Sequence, residues 1–180
     1  MQRWAGVLVA LMLAVGVLGA SIEPSGASTS GDTPATFTLT AGSLAISVPT
    51  GSVDLGSVPT GSVTLSGQLG AVTVTDTRGN AVATWTATVT ATAFTTGGGS
   101  ANETVAASNL AYSSGLPTAT SGVGAFVPGV VATLASGGTA AAWTGGVGTN
   151  SATWNPTLTV TLPPGAVAGT YSGTITHSVA

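Results

Sequence analysis

AVTVTDTRGNAVATWTATVTATAF, residues Ala71 to Phe94, alternates threonine with apolar residues on both sides of Asp76-Thr77-Arg78-Gly79-Asn80. In Val72-Thr73-Val74-Thr75 the apolar side chains take even positions, and from Trp85 to Ala93 they take odd ones. A period of two sends successive side chains to opposite faces, so each run predicts a strand with one buried face. Gly79 and Asn80 accept the positive φ of a tight or bulged turn, so the expectation is an antiparallel hairpin. Trp85 shares parity with Ala87, Val89 and Ala91, which points its ring into the core. Arg78 reads as a turn residue paired locally with Asp76.

Working outward, further strands are expected at Thr36 to Thr40, Leu44 to Val48, Val63 to Leu69, Ser108 to Tyr112, Val130 to Ala135, Thr157 to Leu162 and Gly169 to His177. Three Gly-rich segments separate them and read as loops: Thr95 to Ala101, Ser113 to Gly124 and Ser136 to Asn150. Pro163-Pro164-Gly165 joins two runs of opposite parity, which predicts a second, C-terminal hairpin. No fixed-period repeat is evident. Short strands at regular spacing with Gly, Pro, Ser and Asn between them predict an all-β fold, an Ig-like antiparallel β-sandwich of about eight to ten short strands.

Helical periodicity is confined to the N-terminus. Met1-Gln2-Arg3 precedes an apolar run from Ala5 to Ala20, and Ser25-Gly26-Ala27 supplies small residues for cleavage, the pattern of an export signal. The expected organisation is a signal peptide over 1–27, a polar lead over 28–34 and one sandwich domain over 35–180. Cleavage after Ala20 and an uncleaved anchor are the alternatives, the latter weakened because the run is about 16 residues where a span needs roughly 20. No second run of spanning length follows, so no membrane contact is expected of the mature form. Its expected location is secreted, at the cell wall or cell surface.

The chain has no cysteine, so an exported domain must hold without disulfides, which its length allows. It has no lysine, and from Thr104 to Ala180 no Asp, Glu, Lys or Arg. A nucleic-acid footprint needs clustered basic residues and is excluded. With 43% hydrophobic and 4% charged residues the chain should fold, and its surface must be polar through hydroxyls.

Catalytic chemistry finds little material. A nucleophilic triad needs a base beside a hydroxyl, and the single histidine, His177, is the fourth residue from the end. Asp32, Asp54, Asp76 and Glu103 are isolated from one another and sit beside turn residues. A zinc site needs several His or Cys ligands and a calcium loop needs clustered oxygens, so neither a metal nor another cofactor is expected, and no enzymatic activity. His177 shares strand parity with Tyr171, Ile175 and Val179 and reads as a half-buried neutral imidazole near an edge. Leu116-Pro117-Thr118-Ala119-Thr120 lacks the Thr-Gly and the tail of a sortase signal, and Asn102-Glu103-Thr104 is a bare glycosylation sequon.

Aromatic rings are the remaining binding material, since each offers a flat apolar face with a polar tip. The candidates are Trp85, Trp143, Trp154 and His177. Trp143 lies in a segment without periodicity, where contact with a ligand and packing both fit. Trp154 shares parity with Leu158 and reads as buried near a strand start.

Val72-Thr73-Val74-Thr75-Asp76-Thr77-Arg78-Gly79 followed by Trp85-Thr86-Ala87 resembles the first motif region of WxL-domain surface proteins. Phe37-Thr38-Leu39-Thr40-Ala41-Gly42-Ser43-Leu44-Ala45-Ile46 is similar to that family's opening strands, and the terminal Gly169 to Val179 extends the likeness over most of the mature chain. Ala87 stands where the motif has Leu, and His177 stands where the second motif has Trp. The resemblance implies a Gram-positive surface protein that adheres non-covalently to cell-wall peptidoglycan or another surface glycan, with Trp85 carried over as a motif residue. The second expectation is a structural subunit that associates with itself or with other surface proteins, because long Thr-rich strands without charge leave sheet edges unguarded. Threonine rows on an ice-binding face are a third, set against the lack of equal repeats.

Overall fold

A computed structural model describes residues 30–180; the expected signal peptide and its cleavage site lie outside the described residues. Described residues up to Thr38 form no strand and are exposed throughout. The unit Leu39–Ala180 is all-β and antiparallel.

Twelve strands follow in order: β1 (Leu44–Ser47), β2 (Thr64–Gln68), β3 (Val72–Asn80), β4 (Trp85–Ala91), β5 (Phe94–Thr95), β6 (Thr104–Val105), β7 (Leu110–Ser113), β8 (Pro117–Pro128), β9 (Val130–Val131), β10 (Gly138–Trp154), β11 (Thr157–Thr161) and β12 (Ile175–Val179). The larger sheet runs β1-β3-β10-β4-β12 with β8 also paired to β10; the smaller runs β2-β11-β7-β9; β5 and β6 form a separate ribbon. Val72, Val74, Trp85, Ala87, Val89, Ala152 and Trp154 of the larger sheet meet Leu110, Tyr112, Leu158 and Val160 of the smaller in one buried cluster. The β-sandwich expected from the sequence is therefore present.

Its topology corrects three expectations. The stretch from Ala71 to Phe94 is not a hairpin. β3 and β4 never pair with each other: β3 lies along the Gly148 to Trp154 part of β10, and β4 along its Gly138 to Trp143 part. β8 occupies the opposite edge of β10 over both parts, so β3 and β4 follow one another along the same edge. Gly79 does take a positive φ of 69°, but residues 81–84 continue beside β10, held by the Ala83 N–H donating to the Gly146 carbonyl at 2.8 Å. The positive φ makes a bend and no reversal.

Second, two of the expected loops are strands. Ser136 to Asn150 contributes most of the 17-residue β10, the strand at the centre of the larger sheet, and Ser113 to Gly124 contributes two thirds of the 12-residue β8. Third, β11 and β12 belong to different sheets, so the C-terminal hairpin does not form. The expected strand at Thr36 to Thr40 is also absent, because β1 takes the place beside β3. The expected strand at Val130 to Ala135 shortens to β9, and that from Gly169 to His177 starts only at Ile175.

Candidate functional site

All three candidate tryptophans enter the core side by side. Trp85 on β4 lies between Trp143 and Trp154 on β10, with ring centroids 6.3 Å away on each side and planes 17° apart. Phe126 of β8 meets Trp154 at 5.5 Å. Exposure falls to 2% for Trp85 and Trp143 and to 0% for Trp154, so none of these rings presents a face to a sugar. Trp143 is a strand residue, contrary to its expected place in a loop. The bulge between Thr139 and Ala141 and the glycines at 145, 146 and 148 break the parity that would have shown it. Trp154 is buried as expected, at the end of β10.

Each indole N–H finds an acceptor, as burial demands. Trp85 donates to Asn150 Oδ1 at 2.7 Å, Trp143 to the Val123 carbonyl at 3.1 Å, and Trp154 to the Tyr112 hydroxyl at 2.9 Å. Asn150, 3% exposed, passes its own Nδ2 proton to the Ala83 carbonyl at 3.0 Å. It thus ties β10 to the ring of β4 and to the bend before β4. Nothing in the spacing around Asn150 marks it in the sequence.

His177 on β12 is half-buried at the sheet edge, as expected, with Nε2 3.1 Å from the Tyr112 hydroxyl. That hydroxyl already accepts from Trp154, so the phenol oxygen links the Trp154 indole of the core to the His177 imidazole of the edge. Burial pushes the Tyr112 phenol up to about 12 and pushes His177 below the usual histidine value. Among the described residues the hydrogen-bond partner of the His177 ring is this buried phenol.

Asp76 is fully buried, and Arg78 grips it through Nε at 2.9 Å and Nη2 at 2.8 Å while donating a second Nη2 bond to the Thr84 carbonyl. The local pairing expected from the sequence is present, and it clamps the bend of β3 onto the start of β4. The Arg78 bonds hold the Asp76 carboxyl below the usual range against the opposing effect of burial. Asp54 accepts from the Gly56 N–H and Glu103 from the Ser100 N–H, so both serve turns. Among the described residues no group of three or more His, Cys, Asp or Glu could hold a metal, and no helix is long and apolar enough to cross a membrane.

What remains for function lies on the outside. Among the described residues β8 pairs only with β10, which leaves its other backbone edge open, and all but Pro117 and Phe126 of its residues are exposed. The outer face of the larger sheet carries cross-strand hydroxyl pairs: Thr73 with Thr153, Ser121 with Ser151 and Thr88 with Ser178, each 2.8–2.9 Å apart. A groove of ≈ 910 Å³ opens between residues 52–62 and 163–173 over Leu65, Phe94 and Val160. A six-residue duplication, Val-Pro-Thr-Gly-Ser-Val at 48–53 and again at 58–63, contributes Ser52, Val53 and residues 58–62 to its lining.

Compared with known proteins, the chain matches no family model, no curated protein and no solved structure.

Proposed function

We propose that this chain is a non-catalytic exported domain that serves at the cell surface as a structural subunit, joined to further copies through the open edge of β8. One observation carries the reading: a twelve-residue edge strand with no charged side chain to guard it. Natural proteins blunt such edges with lysine, proline or bulges, because an open row of N–H and C=O groups templates another strand. β8 has proline at its two ends only, its partner strand β10 is equally without charge, and the three register shifts in the ladder between them bring no charged side chain to the edge. Sedimentation velocity on the protein recovered from the medium after export, over a concentration series, tests this. Size that grows with concentration is expected, and a strict monomer at the highest concentration sinks the reading.

A second reading is non-covalent binding of cell-wall peptidoglycan or another surface glycan, implied by the WxL resemblance. With the tryptophans buried, this reading draws its support from the hydroxyl-covered outer face of the larger sheet, where Thr73, Thr153, Ser121 and Ser151 lie together. Neutral hydrogen bonds depend little on ionic strength. Retention on purified peptidoglycan that survives high salt supports this reading; no retention, or release by salt alone, rejects it.

A further inference from the structure

Phe37-Thr38-Leu39-Thr40 keeps the alternation of a half-buried strand, yet among the described residues it pairs with no strand: Phe37 is 88% and Leu39 83% exposed, and no hydrogen bond among the described residues fixes residues 35–41. Alternation places both large side chains on one face. An unpaired strand with one apolar face is half of a sheet contact.

β8 offers the other half. Its free edge is accompanied by exposed valines: Val123, 62% exposed, stands opposite Val147, 53% exposed, in the β8–β10 ladder, and Val127 is 43% exposed. Neither partner carries charge, since no Asp, Glu, Lys or Arg occurs from 33 to 53 or from 104 to 180. The lengths also agree. Seven residues extend about 23 Å at ~3.3 Å per residue, well inside the roughly 40 Å of β8.

We infer that residues 35–41 of one copy add to β8 of a second copy as an extra strand, with Phe37 and Leu39 covering Val123 and Val127. Backbone pairing supplies the hydrogen bonds and the two apolar side chains set the register, the mode by which extended segments join open sheet edges. Donor and acceptor are different parts of the chain, so the contact is head-to-tail and leaves a free donor and a free acceptor at the ends of every row. The inference rests on the reading of the chain as a self-associating subunit and names what joins to what.

Three forms of the exported protein decide it: wild type, a donor variant Phe37→Ser/Leu39→Ser, and an acceptor variant Val123→Lys/Val127→Lys. All four positions are exposed, so circular dichroism and the melting temperature should stay unchanged. Wild type is expected to grow with concentration, while each variant alone stays monomeric. An equimolar mixture of the two variants should stop at a dimer, because one intact donor meets one intact acceptor. A donor variant that assembles as wild type does, or a mixture no larger than its parts, overturns the inference and leaves self-association standing. A wild type that is monomeric throughout overturns both. Independently of folding in the variants, a synthetic peptide of residues 34–41 should shorten wild-type assemblies, and the same peptide with Phe37→Ser and Leu39→Ser should not; equal effects of the two peptides overturn the inference.

Discussion

Asn150 and Arg78 show how few polar side chains this core employs and how much each one holds. Asn150→Ala strands two buried groups, the Trp85 N–H and the Ala83 carbonyl. At about 1–3 kcal/mol for each unsatisfied group, partly offset by relaxation, a loss of roughly 2–4 kcal/mol is expected, measured as a lower urea midpoint at unchanged slope. Arg78→Ala leaves the Asp76 carboxylate buried without its cation. Breaking a buried pair costs about 3–5 kcal/mol, and because the Arg78 side chain is 30% exposed the expected loss is lower, about 2–3 kcal/mol at neutral pH. That loss should shrink in acid, where Asp76 protonates in both proteins; an equal loss at every pH would show that the clamp acts through packing alone.

At the level of elements, legibility followed burial. β3 and β4 were readable because one face of each is buried and the other is largely threonine. The inward turn of Trp85, the edge position of His177 and the Asp76–Arg78 pair came from the same parity and proximity. β8 was not readable, because a strand exposed on both faces has no alternation to display. β10 was not readable because its bulges shift the parity and its glycines imitate a loop. The hairpin expectation failed for that same reason: with β10 unseen, β3 and β4 had only each other to pair with. Gly146 is where the hidden strand is most exacting, since a Cβ there would run into the Ala83 carbonyl and the Trp143 ring. Gly146→Val is expected to part β10 from the bend and cost about 1–3 kcal/mol or more. Thermal unfolding measures it, and a variant as stable as wild type would mean that β10 is not anchored at that point.

For the whole molecule, the scarcity of charge makes stability against pH simple enough to assign group by group. His177 has its folded pKa lowered by burial, so in the window below about 6.5 the unfolded chain takes up the proton first and stability falls as the pH drops toward the folded value. Asp76 likewise has a lowered folded pKa, and its contribution is lost as the pH falls below about 4, the unfolded value. Tyr112 acts at the other end. Its folded pKa is raised to about 12, so its contribution is whole below pH 10 and is lost as the pH rises from 10 toward 12. Two pH units correspond to at most about 2.7 kcal/mol. Urea midpoints should therefore form a plateau between about pH 7 and 10, step down on each side, and step down again in strong acid. His177→Gln should remove the first acidic step while leaving the alkaline one, and Tyr112→Phe should remove the alkaline one. Because Tyr112 joins His177 to Trp154, Tyr112→Phe also frees the imidazole from its hydroxyl partner and leaves the Trp154 N–H buried without an acceptor. The phenylalanine variant should accordingly be the less stable of the two at neutral pH, by about 1–3 kcal/mol for the stranded indole N–H. The reverse order would show that the link between core and edge runs through packing and not through the phenol.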